Sequence, residues 1–278
     1  MAKRKMSNRR KYRVKNICFT IGLVVCAAVF LFCAYRLTTI ILEYRAGDKE
    51  YESLAALCPQ ATPKLEESST PAPNGDIEGT SAPAAEPLPI MDFTQLKAEN
   101  TDAVAWITIP GTAINYPIVQ GTDNEYYLTH TLRRSVNGAG ALFLDEINAS
   151  DFSDQQAYVY GHNMKNGSMF HDLMQYKKQD FFDAHKRLYL YTPTATYEME
   201  LFSIEILRAK DVVRQANYGD EYAQHIEQLA QRSVVQGDAG GAAEHGVLTL
   251  ITCTYEYDDA RLLAHAKVLR STTAADKS

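Results

Sequence analysis

Cys253 closes a short apolar run, Thr249-Leu250-Ile251-Thr252-Cys253, and Arg261 follows eight residues later. His162 lies well upstream, in Tyr160-Gly161-His162-Asn163. A thiol, an imidazole and a guanidinium suffice for covalent acyl transfer. The thiol attacks a carbonyl, the imidazole moves the proton, and the cation steadies the oxyanion. A thiol and an imidazole at ordinary values near 8.5 and 6.5 keep the thiolate–imidazolium pair at about one part in a hundred of the neutral pair. A nearby guanidinium would enlarge that share. A backbone N–H beside Cys253, with that of Thr254 the natural candidate, is expected to be a second oxyanion donor.

Each of these residues also has a plainer role open to it. A lone Cys at a strand end is often a buried structural thiol. Arg261 is within reach of Asp258 or Asp259 for a surface ion pair. His265 rivals His162 as proton carrier, because it shares a strand face with Arg261. The other five histidines sit in polar surroundings with no evident partner. Spacing leaves these alternatives standing. There is no CxxC and no Cys/His cluster with ligand spacing, so neither a metal nor a cofactor is expected.

The elements that must carry these side chains are mostly short strands. Apolar or alternating runs at 105–109, 114–119, 141–144, 157–160, 187–191, 196–206, 247–252 and 261–269 are separated by turn residues such as Pro110-Gly111, Gly121-Thr122 and Thr192-Pro193. Along the last run Leu262, Ala264, Ala266 and Val268 share one face, while Arg261, His265 and Lys267 share the other. Residues 254–260 read as a loop that returns the chain beside Cys253. Helical patches are expected at 93–97, around 169–176 with Phe181-Phe182, and at 221–235. Many short strands with few helices predict a mainly β (α+β) domain, a closed or nearly closed β-barrel with helical insertions.

The N-terminus is of another kind. Residues 1–16 hold eight basic side chains and no acid, and an uncharged apolar run fills 17–35. At 1.5 Å per residue that run spans roughly 28 Å, the thickness of a hydrocarbon core. Basic flank first, apolar run second, predicts a single-pass anchor in the cell membrane, with the tail cytoplasmic and the rest extracellular. A cleaved signal peptide is the rival, but the run is long for one and no clean cleavage site closes it. Residues 36–90 read as a juxtamembrane segment and a Pro/Ala/Ser-rich stem, and 91–278 as one catalytic domain. The whole chain carries 28 basic and 34 acidic residues; without the eight basic residues of the tail the balance is 20 against 34, or −14. That charge excludes nucleic acid as a natural partner and leaves the tail as a topology signal and lipid contact. Three of five cysteines (Cys18, Cys26, Cys33) lie in the apolar run, so Cys58 and Cys253 are the only pair outside it; a disulfide between them is a minor alternative.

Several strings together are more specific than any one. Thr249 to Cys253 resembles the Thr-Leu-x-Thr-Cys signature of the sortases, membrane-anchored cysteine transpeptidases of Gram-positive bacteria, with Arg261 at the expected place on the next strand. Tyr160-Gly161-His162-Asn163 resembles their histidine segment. The stretches 106–112, 115–124, 162–170 and 253–261 resemble class B in particular, and the likeness runs from about residue 91 to 270. The resemblance implies an eight-stranded sortase-type barrel with an N-terminal helix and a further helix before the last two strands. It favours His162 over His265, and Arg261 over its surface alternative. It also implies substrate contacts from Asn115, Val119, Tyr160, Ile251 and Thr252. Ile251 departs from the small hydroxyl residue common there. The implied partners are exported proteins with a C-terminal sorting signal, LPxTG-like or NPxTx-like, and an amine of a peptidoglycan precursor or a pilin. An exported cysteine protease or peptidoglycan amidase is the alternative, although a papain-like layout would place Cys before His.

Overall fold

The structure, a computed structural model, describes residues 2–57 and 87–274 and divides into two compact units, Met1–Ala46 and Gly47–Ser278. Most of the expected stem, and Cys58 with it, lies outside the described residues. Helix α1 spans Ala2–Ala55 and holds the one stretch among the described residues that is long and apolar enough to cross a membrane.

The second unit is a closed barrel of eight strands: β1 Ala103–Thr108, β2 Asn115–Val119, β3 Leu142–Leu144, β4 Gln156–Tyr160, β5 Arg187–Tyr191, β6 Ala195–Arg208, β7 Val247–Cys253 and β8 Ala260–Thr273. Their order around the barrel is β1-β2-β3-β4-β7-β8-β6-β5, closed by β1 against β5. All eight expected strands are present. Trp106, Ile118, Leu188, Ile204, Leu250 and Leu262 are each 2% exposed or less and belong to its core. Closure removes free sheet edges, so every strand is paired on both sides.

The last turns of α1 belong to this unit. Tyr51 and Leu54 are buried, the Tyr51 hydroxyl donates to the Gly140 carbonyl, and the Glu50 carboxylate accepts from Thr131 and the Arg133 N–H. Beyond the gap, Leu88 is buried and its N–H donates to Thr272. The compact head thus takes in residues on both sides of the stem, ahead of the expected start at 91.

The first expected helix is shifted by a residue or two, and the two later ones are shorter than their patterns. Helix α2 covers Thr94–Glu99. The patch near 169–182 splits into a 3-10 turn, His171–Lys177, and α3, Gln179–His185, because Lys178 between them is extended. Helix α4, Tyr222–Gln231, stands before the last two strands and packs Tyr222, Ile226 and Leu229 on Phe202 and Val247. It stops short of Val235 because the chain turns onto β6, where the Val234 N–H donates to the Ile204 carbonyl.

Alternation along β8 marked its His265 face as polar, yet His265 and Lys267 are 1% and 4% exposed. On this outer face a chain of polar side chains is closed. His225 Nε2 donates to Gln156 Oε1 (2.6 Å), Gln156 Nε2 to Thr249 Oγ1 (2.8 Å), and Thr249 Oγ1 meets His265 Nδ1 (3.0 Å). His265 Nε2 and Arg232 Nε both reach Glu205, at 3.2 and 2.5 Å. Burial alone would raise the Glu205 carboxyl, but His265 and Arg232 outweigh it and hold it below its usual range. Burial, helped by the charges of His265 and Arg232, pushes the His225 imidazole from 6.5 down to about 4.

Between those two values the unfolded chain takes up a proton at His225 that the folded chain refuses, so stability falls as pH drops through that window. The depressed Glu205 adds to the loss at lower pH: its contribution is present above the unfolded carboxylate value and disappears as pH falls through the folded one. His225→Gln keeps a donor for Gln156 and removes the imidazole titration. The expected result is little change in Tm at pH 7.5 and a smaller drop between pH 6.5 and 4.5, by about 3–6 °C for about 1–2 kcal/mol. Equal drops in variant and parent, followed by circular dichroism, would place the acid sensitivity elsewhere.

Candidate active site

Strand register assembles the site. β7 lies between β4 and β8. In the parallel β4–β7 pair Tyr160 is opposite Ile251, and the Gly161 N–H adds one more rung to the Ile251 carbonyl (3.1 Å). Two residues on in each strand come His162 and Cys253. In the antiparallel β7–β8 pair Cys253 is directly opposite Arg261. Neighbouring strands are about 4.8 Å apart, so His162 and Arg261 stand on either side of Cys253 at one barrel end.

Gly161 is required where the chain leaves β4. A Cβ there would meet Leu142 at 2.3 Å and Phe170 at 2.6 Å, closer than side chains approach. The chain therefore passes between two core side chains before it presents His162.

A cleft of about 480 Å³ opens over these residues. His162, Cys253 and Arg261 line it together with Tyr160, Ile251 and Thr252, and Asp123, Glu125, Glu146 and Arg214 add charge to its walls. Cys253 is part-buried with a free thiol. His162 Nε2 lies 2.8 Å from the Leu128 carbonyl, which can only accept, so Nε2 carries a proton and Nδ1 is the basic nitrogen. His265 is set apart from the cleft. It faces Thr249, four residues back along β7, and both its ring nitrogens are engaged on the outer face.

Arg261 takes both of the places open to it. It borders the cleft, and its Nη1 donates to the Ala260 carbonyl while Nη2 pairs with Asp259, each at 3.1 Å. Five N–H donors accommodate both contacts and leave others for a ligand.

Other expected roles need revision. The Thr254 N–H donates to the Ala260 carbonyl (3.1 Å) as the first rung of the turn between β7 and β8. It is therefore not free to meet an oxyanion, contrary to the expected role. The Thr254 hydroxyl is directed instead to Glu256, which Lys177 also meets. Val119 is wholly buried, and Asn115 accepts from Trp106 Nε1 (2.7 Å); neither borders the cleft. The register through Phe143, Tyr160 and Ile251 puts Val119 on the same sheet face as the cleft, but covered, so it offers no exposed contact there.

Tyr160 does line the cleft, but its hydroxyl donates to Asp145 (2.7 Å) and its ring stacks on Phe143. It offers a ring rather than a polar contact. Burial raises its phenol well above the usual range, and Asp145 adds to that. Burial alone would raise Asp145 too, but Asn124, Tyr160 and Arg214 together hold it low. Ile251 supplies apolar wall. Thr252 is 2% exposed and its hydroxyl has no hydrogen-bond partner. Thr252 pairs with Leu262, on the face opposite Cys253, so its side chain is turned from the cleft and an unsatisfied hydroxyl there is a local cost.

The motif reading missed the Asp145–Arg214 pair, the Leu128 carbonyl and the acidic wall. Asp123 and Glu125 lie in or beside the 115–124 stretch and Leu128 just after it, whereas Asp145, Glu146 and Arg214 come from segments outside the motifs that the fold brings to the same cleft.

The family model for the Sortase domain matches residues 107–269. The chain is similar to Sortase B of Listeria monocytogenes, at 32% identity over 182 residues, covering 64% of this chain and 74% of the relative. Among solved structures it is similar to Clostridium perfringens sortase B, with a TM-score of 0.60 and 32% identity over 64% of this chain and 100% of that one. It is also similar to sortase B from Bacillus anthracis in complex with AAEK1, with a TM-score of 0.67 and 28% identity over 83% of this chain and 100% of that one.

Proposed function

Given that the chain belongs to class B of the sortase family, and so to the cysteine transpeptidases of cell-wall sorting, we propose that Cys253 is its nucleophile, His162 its proton carrier and Arg261 its oxyanion donor. The observation that supports this reading is that Arg261 pairs with Cys253 across β7 and β8, that His162 follows the end of β4 beside β7, and that all three line one cleft.

His162 Nδ1 takes the thiol proton, and the thiolate attacks the carbonyl carbon of the Thr residue in a sorting signal, LPxTG-like or NPxTx-like. The carbonyl electrons move onto oxygen, where an Arg261 N–H meets them. When the intermediate collapses, the C–N bond breaks and the departing amine takes the proton from the imidazolium. A thioester to Cys253 remains. An incoming amine, from a cell-wall precursor or a pilin, then attacks the same carbon, gives its proton to His162 and expels the thiolate, forming a new amide. The apolar run at 17–35 anchors the enzyme, with residues 1–16 cytoplasmic and the head outside, where exported clients emerge.

The test is a fluorogenic peptide library of five-residue motifs, read by mass spectrometry with and without hydroxylamine or triglycine. Expected is a motif-dependent hydroxamate or peptide adduct that replaces the free acid as amine concentration rises. Free acid alone at high amine would assign a hydrolase instead.

A further inference from the structure

Beyond Gly161 the backbone ladder between β4 and β7 ends, because the chain after His162 turns away into a small hairpin. That hairpin is closed by a bridge between Asn163 and Met169 and by the Phe170 N–H on the His162 carbonyl (2.9 Å). The Cys253 carbonyl therefore has no backbone partner from β4, and a side chain takes the place of the missing rung. Asn163 Nδ2 donates to the Cys253 carbonyl at 3.0 Å, and Asn163 Oδ1 lies 2.9 Å from His171 Nδ1.

The orientation of this carboxamide follows from chemistry. A carbonyl only accepts, so the NH2 group must face Cys253 and the oxygen must face His171. His171 Nδ1 must then carry a proton, which it does in one neutral tautomer and in the charged form alike. The His171–Asn163–Cys253 chain thus holds at any protonation state of His171.

We propose that Asn163 is a positioning residue for acyl transfer: its carboxamide clamps the peptide unit of the nucleophile to the loop that carries the imidazole. The proposal rests on the assignment of Cys253 and His162 above. Asn163 bonds through its carboxamide to the Cys253 carbonyl and to His171, and it does not line the cleft over the thiol. It is the residue next to His162, and its bond to the carbonyl of the residue that bears the sulfur sets how far the imidazole stands from the thiol. Placement errors of about 1 Å at such a centre cost on the order of a hundredfold in rate. His171, from the following 3-10 turn, holds the carboxamide in its rotamer.

The experiment uses the full chain in detergent. Asn163→Ala, Asn163→Asp, His171→Ala and Cys253→Ala are compared with the parent in two assays. One is turnover of a sorting-signal peptide in the presence of hydroxylamine; the other is the rate of iodoacetamide labelling of Cys253 across pH 5 to 10. For Asn163→Ala, kcat should fall about 10- to 100-fold with KM within about threefold. Iodoacetamide labelling should move to higher pH, because the thiolate loses its aligned imidazolium. Asn163→Asp should be as poor at neutral pH, where its carboxylate faces a carbonyl, and should recover part of its relative rate below about pH 5, where the protonated acid again donates. His171→Ala should lose less than Asn163→Ala in both assays. A packing role alone would lower Tm and leave kcat and the labelling profile unmoved, and that result in either Asn163 variant overturns the proposal. Should Cys253→Ala still turn over peptide, the underlying assignment is wrong. An inert Cys253→Ala beside a wild-type Asn163→Ala would remove this proposal alone.

Discussion

Cys253→Ala is expected to lose all measurable acyl transfer, at least about 10⁴-fold in kcat, because every step of the reaction passes through the sulfur. Cys253→Ser should be nearly as inert, since an alkoxide is far less accessible than a thiolate to an imidazole base. Stability should change little in either variant. Cys253 ends its strand, is only part-buried and bonds through its carbonyl rather than its thiol. The comparison therefore separates chemistry from folding. Mass spectrometry of the parent during turnover should show the acyl fragment on the peptide containing Cys253, and none in either variant. Turnover above a few per cent of the parent in Cys253→Ala, with a normal Tm, would put the nucleophile elsewhere.

Arg261 carries the second large effect. Its guanidinium is held opposite Cys253 by the β7–β8 register and is steadied by the Ala260 carbonyl and Asp259. With the Thr254 N–H engaged in the turn, Arg261 has the free donors nearest the developing oxyanion in this reading. Loss of one such donor costs about 10²–10³ in kcat. Arg261→Lys should be almost as harmful as Arg261→Ala, because an ammonium that keeps Asp259 cannot also span to the oxyanion as a planar fork does. The loss should fall on kcat more than on KM. A surface ion pair alone predicts a different result, a change in stability of about 0–1 kcal/mol and no effect on rate. Parent-like kcat in Arg261→Lys would favour that plainer role.

The acid sensitivity expected of the His225–Glu205 network bears on the same strands. Thr249, the first residue of the Thr-Leu-x-Thr-Cys string, is wholly buried and bonds Gln156 from β4 and His265 from β8. One end of that string thus ties the three strands together on the outer face, while the other end presents the thiol. Its two threonines have opposite surroundings: Thr249 is bonded on the outer face, and Thr252, opposite Leu262 on the other face, has no partner for its hydroxyl.

Much of this protein was legible from local pattern. Alternating and apolar runs marked all eight strands, and the strings around His162 and Cys253 marked the cleft floor, because strand preference and motif chemistry are written within a few neighbouring residues. The choice between His162 and His265 was not local. Both are histidines near strand ends or faces of the right kind, and only the order β4-β7-β8 puts one beside the thiol and seals the other against Glu205. The same holds for Thr254, whose N–H looked available until the β7–β8 turn engaged it, and for Val119, whose complete burial alternation alone could not reveal. It holds also for residues 47–57, which read as part of a juxtamembrane segment but carry Tyr51 and Leu54 into the head. Composition and spacing determined which groups exist and in what sequence. Barrel closure decided which of them meet, because a hydrogen bond or a burial depends on what lies across the strand, often a hundred residues away along the chain.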